Sequence, residues 1–371
     1  MTIRIGDHVV AAVRQGRAVL ALESTIITHG LPRPRNLTVA LEAEQQVREA
    51  GAVPATIGVI NGEPVVGLSA EELVMLADGD NVVKISVRDL PVAAALGLSG
   101  GTTVAATAML AWLAGVEVFS TGGIGGVHRG AADTFDESAD LLALAKYPIV
   151  VVSAGIKSLL DIPATLERLE TMSIPVVGYK TRAFPGFFVT DSGCQIDYAV
   201  ETPYQVADMA DARDALGLSS AILVANPVPK AEELDKQLHD QTLAAAIAAA
   251  EAAGIHGHDT TPFLLDYMRR ETAGRSVETN LSIYRNNIAL GAEIALAIAK
   301  LQGGPGFGAP VSVGSAAAAS QGCGCGGGGC GGSGGDSGGS YNELREREQC
   351  ACGGGKTHGQ GGCRCGRYGD Q

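Results

Sequence analysis

Cysteine is almost missing from the first 302 residues of this 371-residue chain. Only Cys194 lies there, and the other seven of the eight cysteines fall in residues 303–371. A disulfide framework is therefore excluded as the support of a folded body. Also missing is any apolar run approaching the roughly 20 residues that cross a bilayer. Residues 1–10 carry charges where a signal peptide would carry an unbroken apolar core. Positive charge is scarce, with 27 Lys and Arg against 40 Asp and Glu. Binding to nucleic acid or anionic membrane without regard to sequence draws on Lys and Arg, so neither is expected as a partner. The composition points to a soluble, cytoplasmic, acidic protein.

The chain divides into two unlike parts. Residues 1–302 are rich in Ala, Val, Leu and Ile, whereas residues 303–371 hold 25 of the 51 glycines. The second part has five acidic and five basic residues, so the net charge of −13 belongs to the first. Its scarcity of large apolar residues argues against a packed core and for a disordered extension. Its Cys-x-Cys pairs, 323/325, 350/352 and 363/365, suit soft metals as thiolates but lack the Cys-x2-Cys spacing of zinc modules. A folded domain over 1–302 and a glycine- and cysteine-rich extension over 303–371 follow.

Within 1–302, short β-branched runs alternate with helical patterns. Strands are expected at 18–22, 56–61, 82–87, 116–120, 149–152, 175–179, 187–190, 196–200 and 221–225. Helices are expected at 6–15, 37–50, 70–77, 91–96, 102–113, 162–172, 203–216, 230–253 and 278–301, with another opening at Thr261-Pro262. Asn36 is placed to cap the second helix, and Ser69 with Glu72 reads as a capping box. The alternation predicts an α/β fold: three α/β/α layers around a mainly parallel sheet.

Chemistry-bearing residues gather where strands end, which is where open α/β sheets bind ligands. Glu23 to His29 follows the first strand with a carboxylate, hydroxyls and an imidazole. Glu23 there reads either as a capping group or as an acid–base group. Lys84 lies within a strand, so it sits at an edge or faces an anion. A glycine pair, 100–101, precedes the helix carrying Val104, whose N-terminus offers N–H groups to a phosphate. The loop 121–130 is rich in glycine but runs into His128 and acidic residues instead of a helix, which disfavours a dinucleotide site. Asp136 and Asp140 share one face if their stretch is helical. They read as a hard-cation site or as a solvated acidic surface. Lys157 leaves the run 149–152 through small residues. It is either a strand-end lysine or a partly desolvated, nucleophilic amine.

Taken together, several stretches resemble the pseudouridine-5′-phosphate glycosidase, or indigoidine synthase A-like, family. They are 21–30 (Ala-Leu-Glu-Ser-Thr-Ile-Ile-Thr-His-Gly), 120–128 (Ser-Thr-Gly-Gly-Ile-Gly-Gly-Val-His), 134–140 (Thr-Phe-Asp-Glu-Ser-Ala-Asp), 153–158 (Ser-Ala-Gly-Ile-Lys-Ser) and 225–229 (Ala-Asn-Pro-Val-Pro), with 278–280 and 286–287. The resemblance spans about 5–302 and implies an α/β/α trimer that uses a divalent metal, most often Mn2+. The implied reaction is reversible cleavage of pseudouridine 5′-phosphate to uracil and ribose 5-phosphate. It further implies Lys157 as the nucleophile, Glu23 as the proton donor and Asp136 as the metal ligand. Substrate contacts are implied at Lys84, Val104, Ser138, Ala139, Asp140, Thr121, His128 and Asn280. Glu137 stands where the family pattern leads one to expect an apolar residue, which predicts an added charge beside the metal. Two alternatives are a Schiff-base lyase for another sugar phosphate and a non-catalytic metal-binding homologue. Free uracil on incubation with the substrate separates the first, and metal analysis tests the second.

Overall fold

The computed structural model describes residues 2–255 and 260–303. The extension beyond 303, with its expected disorder, lies outside the described residues. The strands are β1 (Arg4–Ile5), β2 (Val19–Leu22), β3 (Val53–Ile60), β4 (Glu63–Val66), β5 (Val83–Ile85), β6 (Gly100–Thr102), β7 (Val118–Ser120), β8 (Val150–Ser153), β9 (Val176–Tyr179), β10 (Tyr198–Val200) and β11 (Ile222–Ala225). The helices are α1 (Asp7–Arg14), α2 (Arg35–Glu49), α3 (Ala70–Asp78), α4 (Leu90–Leu96), α5 (Val104–Leu113), α6 (Ala131–Thr134), α7 (Ala139–Lys146), α8 (Ile162–Thr171), α9 (Pro203–Ala215), α10 (Lys236–Ala252), α11 (Thr260–Glu271) and α12 (Arg275–Leu301).

Seven strands run parallel in the order β3-β2-β7-β8-β11-β9-β10. The far edge is mixed. β4 and β6 each pair antiparallel with β3, while β1 joins β4 and β5 joins β6 in parallel. The central strands β2, β3, β7, β8 and β11 are buried on both faces, so their residues divide between two cores by the two-residue period of the pleat. In β2, Val19 and Ala21 face a core shared with α1, α5, α7 and α8. Leu20 and Leu22 face the other core, built with α2, α9 and α12. The three expected layers are thus present. A smaller cluster packs α10 and α11 over Phe187, Phe188 and Leu159.

Strand order reverses between β2 and β7. From β2 the chain moves outward to β3, and from β7 it moves the other way to β8. Diverging connections leave a crevice at the carboxyl ends of such a pair.

Several local expectations change. The capping box at Ser69 and Glu72 is present at the start of α3. Asn36 is no cap: α2 already begins at Arg35, and buried Asn36 donates Nδ2 to the carbonyls of Ile27 and Ala77, each at 2.9 Å. Residues 187–190 form no strand, because Phe187 takes φ +63° and Gly186 N–H closes onto the Val189 carbonyl at 3.0 Å. The helix expected from 230 starts at Lys236, capped by Asp235, whose Oδ1 accepts from Leu238 N–H at 2.8 Å. Residues 100–102, read as a break before α5, form β6.

Candidate active site

Leu22 lies opposite Ser120, and Ser120 opposite Val152, so β2, β7 and β8 end level. The residues that follow them share the crevice. Glu23 is 7 % exposed, and its Oε1 accepts a short hydrogen bond from the Thr121 hydroxyl. Burial pushes the Glu23 carboxyl above the ordinary range; Lys157, the Thr121 hydroxyl and Lys84 pull it back, and Asp140 adds to the rise.

After β8 the chain turns at Gly155, whose φ of +75° belongs to the left-handed region. A Cβ there would stand 2.9 Å from the Phe184 ring. The turn continues the sheet as loops: Ile124 N–H meets the Gly155 carbonyl at 3.0 Å, and Lys157 N–H meets the Ile124 carbonyl at 3.1 Å. Lys157 is thereby held beside the loop that carries Thr121.

Lys84 enters from the mixed edge, where β5 pairs with β6. Partial burial and the neighbouring Lys157 hold its ammonium below the ordinary lysine range, while Asp140 and Glu23 oppose the fall. Burial and Lys84 likewise hold His29 below its usual value. The Nδ1 of His29 is 2.7 Å from the Thr28 hydroxyl. Two lysines and a buried carboxyl therefore influence one another at the switch point.

Val104 is buried and opens α5 directly after its cap, Thr103. Asp140 is buried with both oxygens engaged: Oδ1 accepts from Ala105 N–H at 2.9 Å and Oδ2 from Gly125 N–H at 2.8 Å. It thus ties the start of α5 to the glycine loop. A Cβ on residue 125 would lie 2.8 Å from that Oδ2, so the close approach needs glycine. Ser138 caps α7 by accepting from Asp140 N–H at 3.2 Å, and Ala139 is the first helical residue. Asn280, on α12, points its Oδ1 at Gly122, 3.4 Å from where a Cβ would stand. Removing Asp140 orphans two buried N–H groups, at about 1–3 kcal/mol each. Asp140→Ala is therefore expected to lower the melting temperature clearly, and Asp140→Asn, which keeps an acceptor, to lower it less. Calorimetry showing no change for Asp140→Ala would remove this structural role.

Asp136 and Asp140 would share a face only in one helix, and that condition is not met. α7 begins only at Ala139, and Asp136 lies before the cap. Asp136 pairs with His128 instead: Nδ1 lies 3.7 Å from its Oδ2, and His128 N–H donates to its backbone carbonyl at 3.0 Å. Among the described residues no three Asp, Glu, His or Cys side chains gather as a ready-made cage. One partly exposed carboxylate beside one imidazole fits a hard divalent ion that keeps most of its waters. The charge expected from Glu137 is not delivered to that site. Arg168 brings its Nε and Nη2 within 3.0 Å of the Glu137 carboxylate, neutralising it on the side of α8.

The fold and site define an α/β/α protein with a charged crevice at the strand ends, built on a buried carboxyl and two lysines. The chain belongs to the indigoidine synthase A-like family: the model described as "Indigoidine synthase A like protein" matches residues 8–297. It is 63 % identical over 295 residues to the pseudouridine-5′-phosphate glycosidase of Saccharopolyspora erythraea, covering 80 % of this chain and 97 % of the relative. It is 49 % identical over 299 residues to the protein of that name from Alkaliphilus metalliredigens, covering 81 % and 97 %. Among solved structures, a prealnumycin C-glycosynthase in complex with ribulose 5-phosphate superposes with a TM-score of 0.76 at 34 % identity, covering 81 % of this chain and 98 % of that one. An indigoidine synthase A-like protein from Thermotoga maritima gives 0.72 at 35 % identity, covering 80 % and 97 %.

Sequence reasoning gave no role to the groups that hold the crevice in shape. Ser24, next to Glu23, is buried; its hydroxyl donates to the Ile57 carbonyl at 2.6 Å and accepts from Thr102 N–H at 3.0 Å. Asn287 is fully buried in α12 and bonds the Thr121 carbonyl. A signal for it was present: residues 280, 284, 287 and 291 share one face of α12 by helical spacing, and a polar residue on a buried face needs partners.

Proposed function

We propose that this chain cleaves the carbon–carbon glycosidic bond of pseudouridine 5′-phosphate, reversibly, to uracil and ribose 5-phosphate, through a Schiff base on Lys157. The observation that carries the reading is the buried Glu23 carboxyl, held by Thr121, in one crevice with Lys157 and Lys84. Relatives that bear the glycosidase name and a C-glycosynthase neighbour seen with ribulose 5-phosphate support the same substrate class.

The chemistry wants these groups. A C-glycoside offers no exocyclic oxygen to protonate, so the usual pair of carboxylates does not suffice. The Lys157 amine bonds to C1′ as the C1′–O4′ bond breaks. That electron pair goes to O4′, which takes up the proton the amine gives and becomes the 4′-hydroxyl of the opened ribose. Glu23 delivers a proton to C5 of the base. The amine lone pair then forms the C=N bond while the C1′–C5 pair returns to the pyrimidine ring, which leaves as uracil. Water hydrolyses the imine, freeing ribose 5-phosphate and Lys157. Lys84 and the N-terminus of α5 at Val104 hold the phosphate, and its binding energy positions C1′. Ser138, His128 and Asn280, with the backbone at Ala139, would supply the remaining polar contacts to the substrate.

Asp136, with His128 beside it, would hold the divalent cation, Mn2+ by family habit, and its bound waters would supply ordering and charge neutralisation. Trimeric assembly and a cytoplasmic location belong to the same reading. Among the described residues no helix is long and apolar enough to cross a membrane.

Incubation with pseudouridine 5′-phosphate and detection of free uracil tests the proposal. Uracil release, lost on chelation and restored by Mn2+, is expected. No release with metal present would overturn the substrate, and release indifferent to chelation would overturn the metal.

A further inference from the structure

We infer that Asn287, locked by Asn226, is the positioning residue that aims the Thr121 hydroxyl at Glu23. Asn287 has no solvent exposure. Its Nδ2 donates to the Thr121 carbonyl at 2.7 Å and to the Gly122 carbonyl at 3.3 Å. Its Oδ1 accepts from the Nδ2 of Asn226, itself buried after β11, at 3.0 Å. Its own backbone carbonyl accepts from the Ser120 hydroxyl at 2.9 Å. Three consecutive residues, 120–122, are thus bound to one turn of α12. A further hydrogen bond out of this stretch, from the Thr121 hydroxyl, reaches Glu23 Oε1.

The arrangement answers a physical need. The loop after Thr121 has glycine at 122, 123, 125 and 126. Such a backbone is costly to order; Thr121 N–H donates to the Val152 carbonyl at 3.0 Å, and the Gly122 carbonyl accepts from Ala154 N–H at 2.9 Å. An amide side chain suits the position because it donates twice on one side and accepts on the other. Leucine or alanine would leave the Thr121 carbonyl and the Asn226 amide unpaired in the interior. The Asn287 side chain bonds Thr121, Gly122 and Asn226 and not Glu23, so it acts through Thr121.

The inference rests on Glu23 as proton carrier, and its signature is a pH profile. The groups that act on Glu23 are Thr121 just past β7, Lys157 beyond β8, Lys84 on β5, Asp140 on α7 and Tyr284 on α12. The Thr121 hydroxyl favours the ionised carboxyl, so its loss raises the pH at which Glu23 gives up its proton and moves the alkaline limb of kcat upward.

Asn287→Ala is expected to lower kcat by about ten- to a hundredfold, as a misplaced group does, to change KM little, and to move that limb to higher pH. Thr121→Val should do the same, and the double variant should lose no more than the worse single variant. An unshifted limb, or additive losses, would overturn the inference. Should Asn287→Ala not fold, Asn226→Ala carries the test, because it spares both carbonyl bonds while freeing the amide to turn. A smaller upward shift is then expected, and an unshifted limb overturns the inference. Should the wild type release no uracil, the Glu23 carboxyl is followed by 13C NMR titration in wild type and variant. A higher titration in the variant sustains the clamp whatever the substrate, and equal titration overturns it.

Discussion

Replacing Lys157 by alanine is expected to remove uracil release by about four orders of magnitude or more, the scale on which loss of a covalent nucleophile is felt. Arginine should not rescue it, since a guanidinium stays protonated and cannot add to C1′. The effect separates Lys157 from its neighbour. Both lysines act on the charge of Glu23, but Lys157 follows β8 on a loop whose Gly155 carbonyl and Lys157 N–H both bond Ile124, whereas Lys84 stands on the short edge strand β5 beside β6. Position at the strand ends suits the amine that meets C1′; position at the edge suits the phosphate. Borohydride added with ribose 5-phosphate should trap a sugar-phosphate adduct on the wild type and on Lys84→Ala, and none on Lys157→Ala. Mass mapping that finds the adduct on Lys84, or a Lys157→Ala variant near full activity, would reassign the nucleophile.

The strand ends were readable from sequence because β-branched runs of four or five residues between helical patterns leave little choice of fold. Glu23 and Lys157 were visible as charged residues directly after such runs. What could not be read was their adjacency. It depends on β2 and β7 being neighbours although β3 to β6 intervene, and no local pattern states strand order. The mixed edge was hidden for a related reason. Gly100 and Gly101 have weak strand propensity, yet β6 needs them because a Cβ on 101 would stand 2.8 Å from the Ser24 carbonyl. Asp136 and Asp140 were read as a pair from spacing alone. Ser138 overrides that spacing by capping α7 between them, and the N–H groups of Ala105 and Gly125 then claim Asp140. Tertiary hydrogen bonds of this kind leave no periodic trace. The same holds for Asn287, whose partners Thr121 and Gly122 lie more than 160 residues away along the chain.

Glu23→Gln keeps the shape of the side chain and its place beside Thr121 but removes the transferable proton. Turnover should fall by about a hundred- to ten-thousandfold, the usual contribution of a general acid, with substrate still bound. The pH profile supplies the sharper test. Burial is the largest influence on Glu23 and holds its proton to higher pH than an ordinary carboxyl, against the opposing pull of Lys157, Thr121 and Lys84. If Glu23 gives its proton to the base carbon, kcat for cleavage is highest while the carboxyl is protonated and falls as pH rises through its raised value. Synthesis from uracil and ribose 5-phosphate runs the proton the other way, so its rate should rise over the same interval. Lys84→Ala removes a cation that favours the carboxylate and should move both limbs upward together, besides weakening phosphate binding. A Glu23→Gln variant that keeps either limb at its wild-type position would show that another group titrates there, and would take the proton transfer away from Glu23.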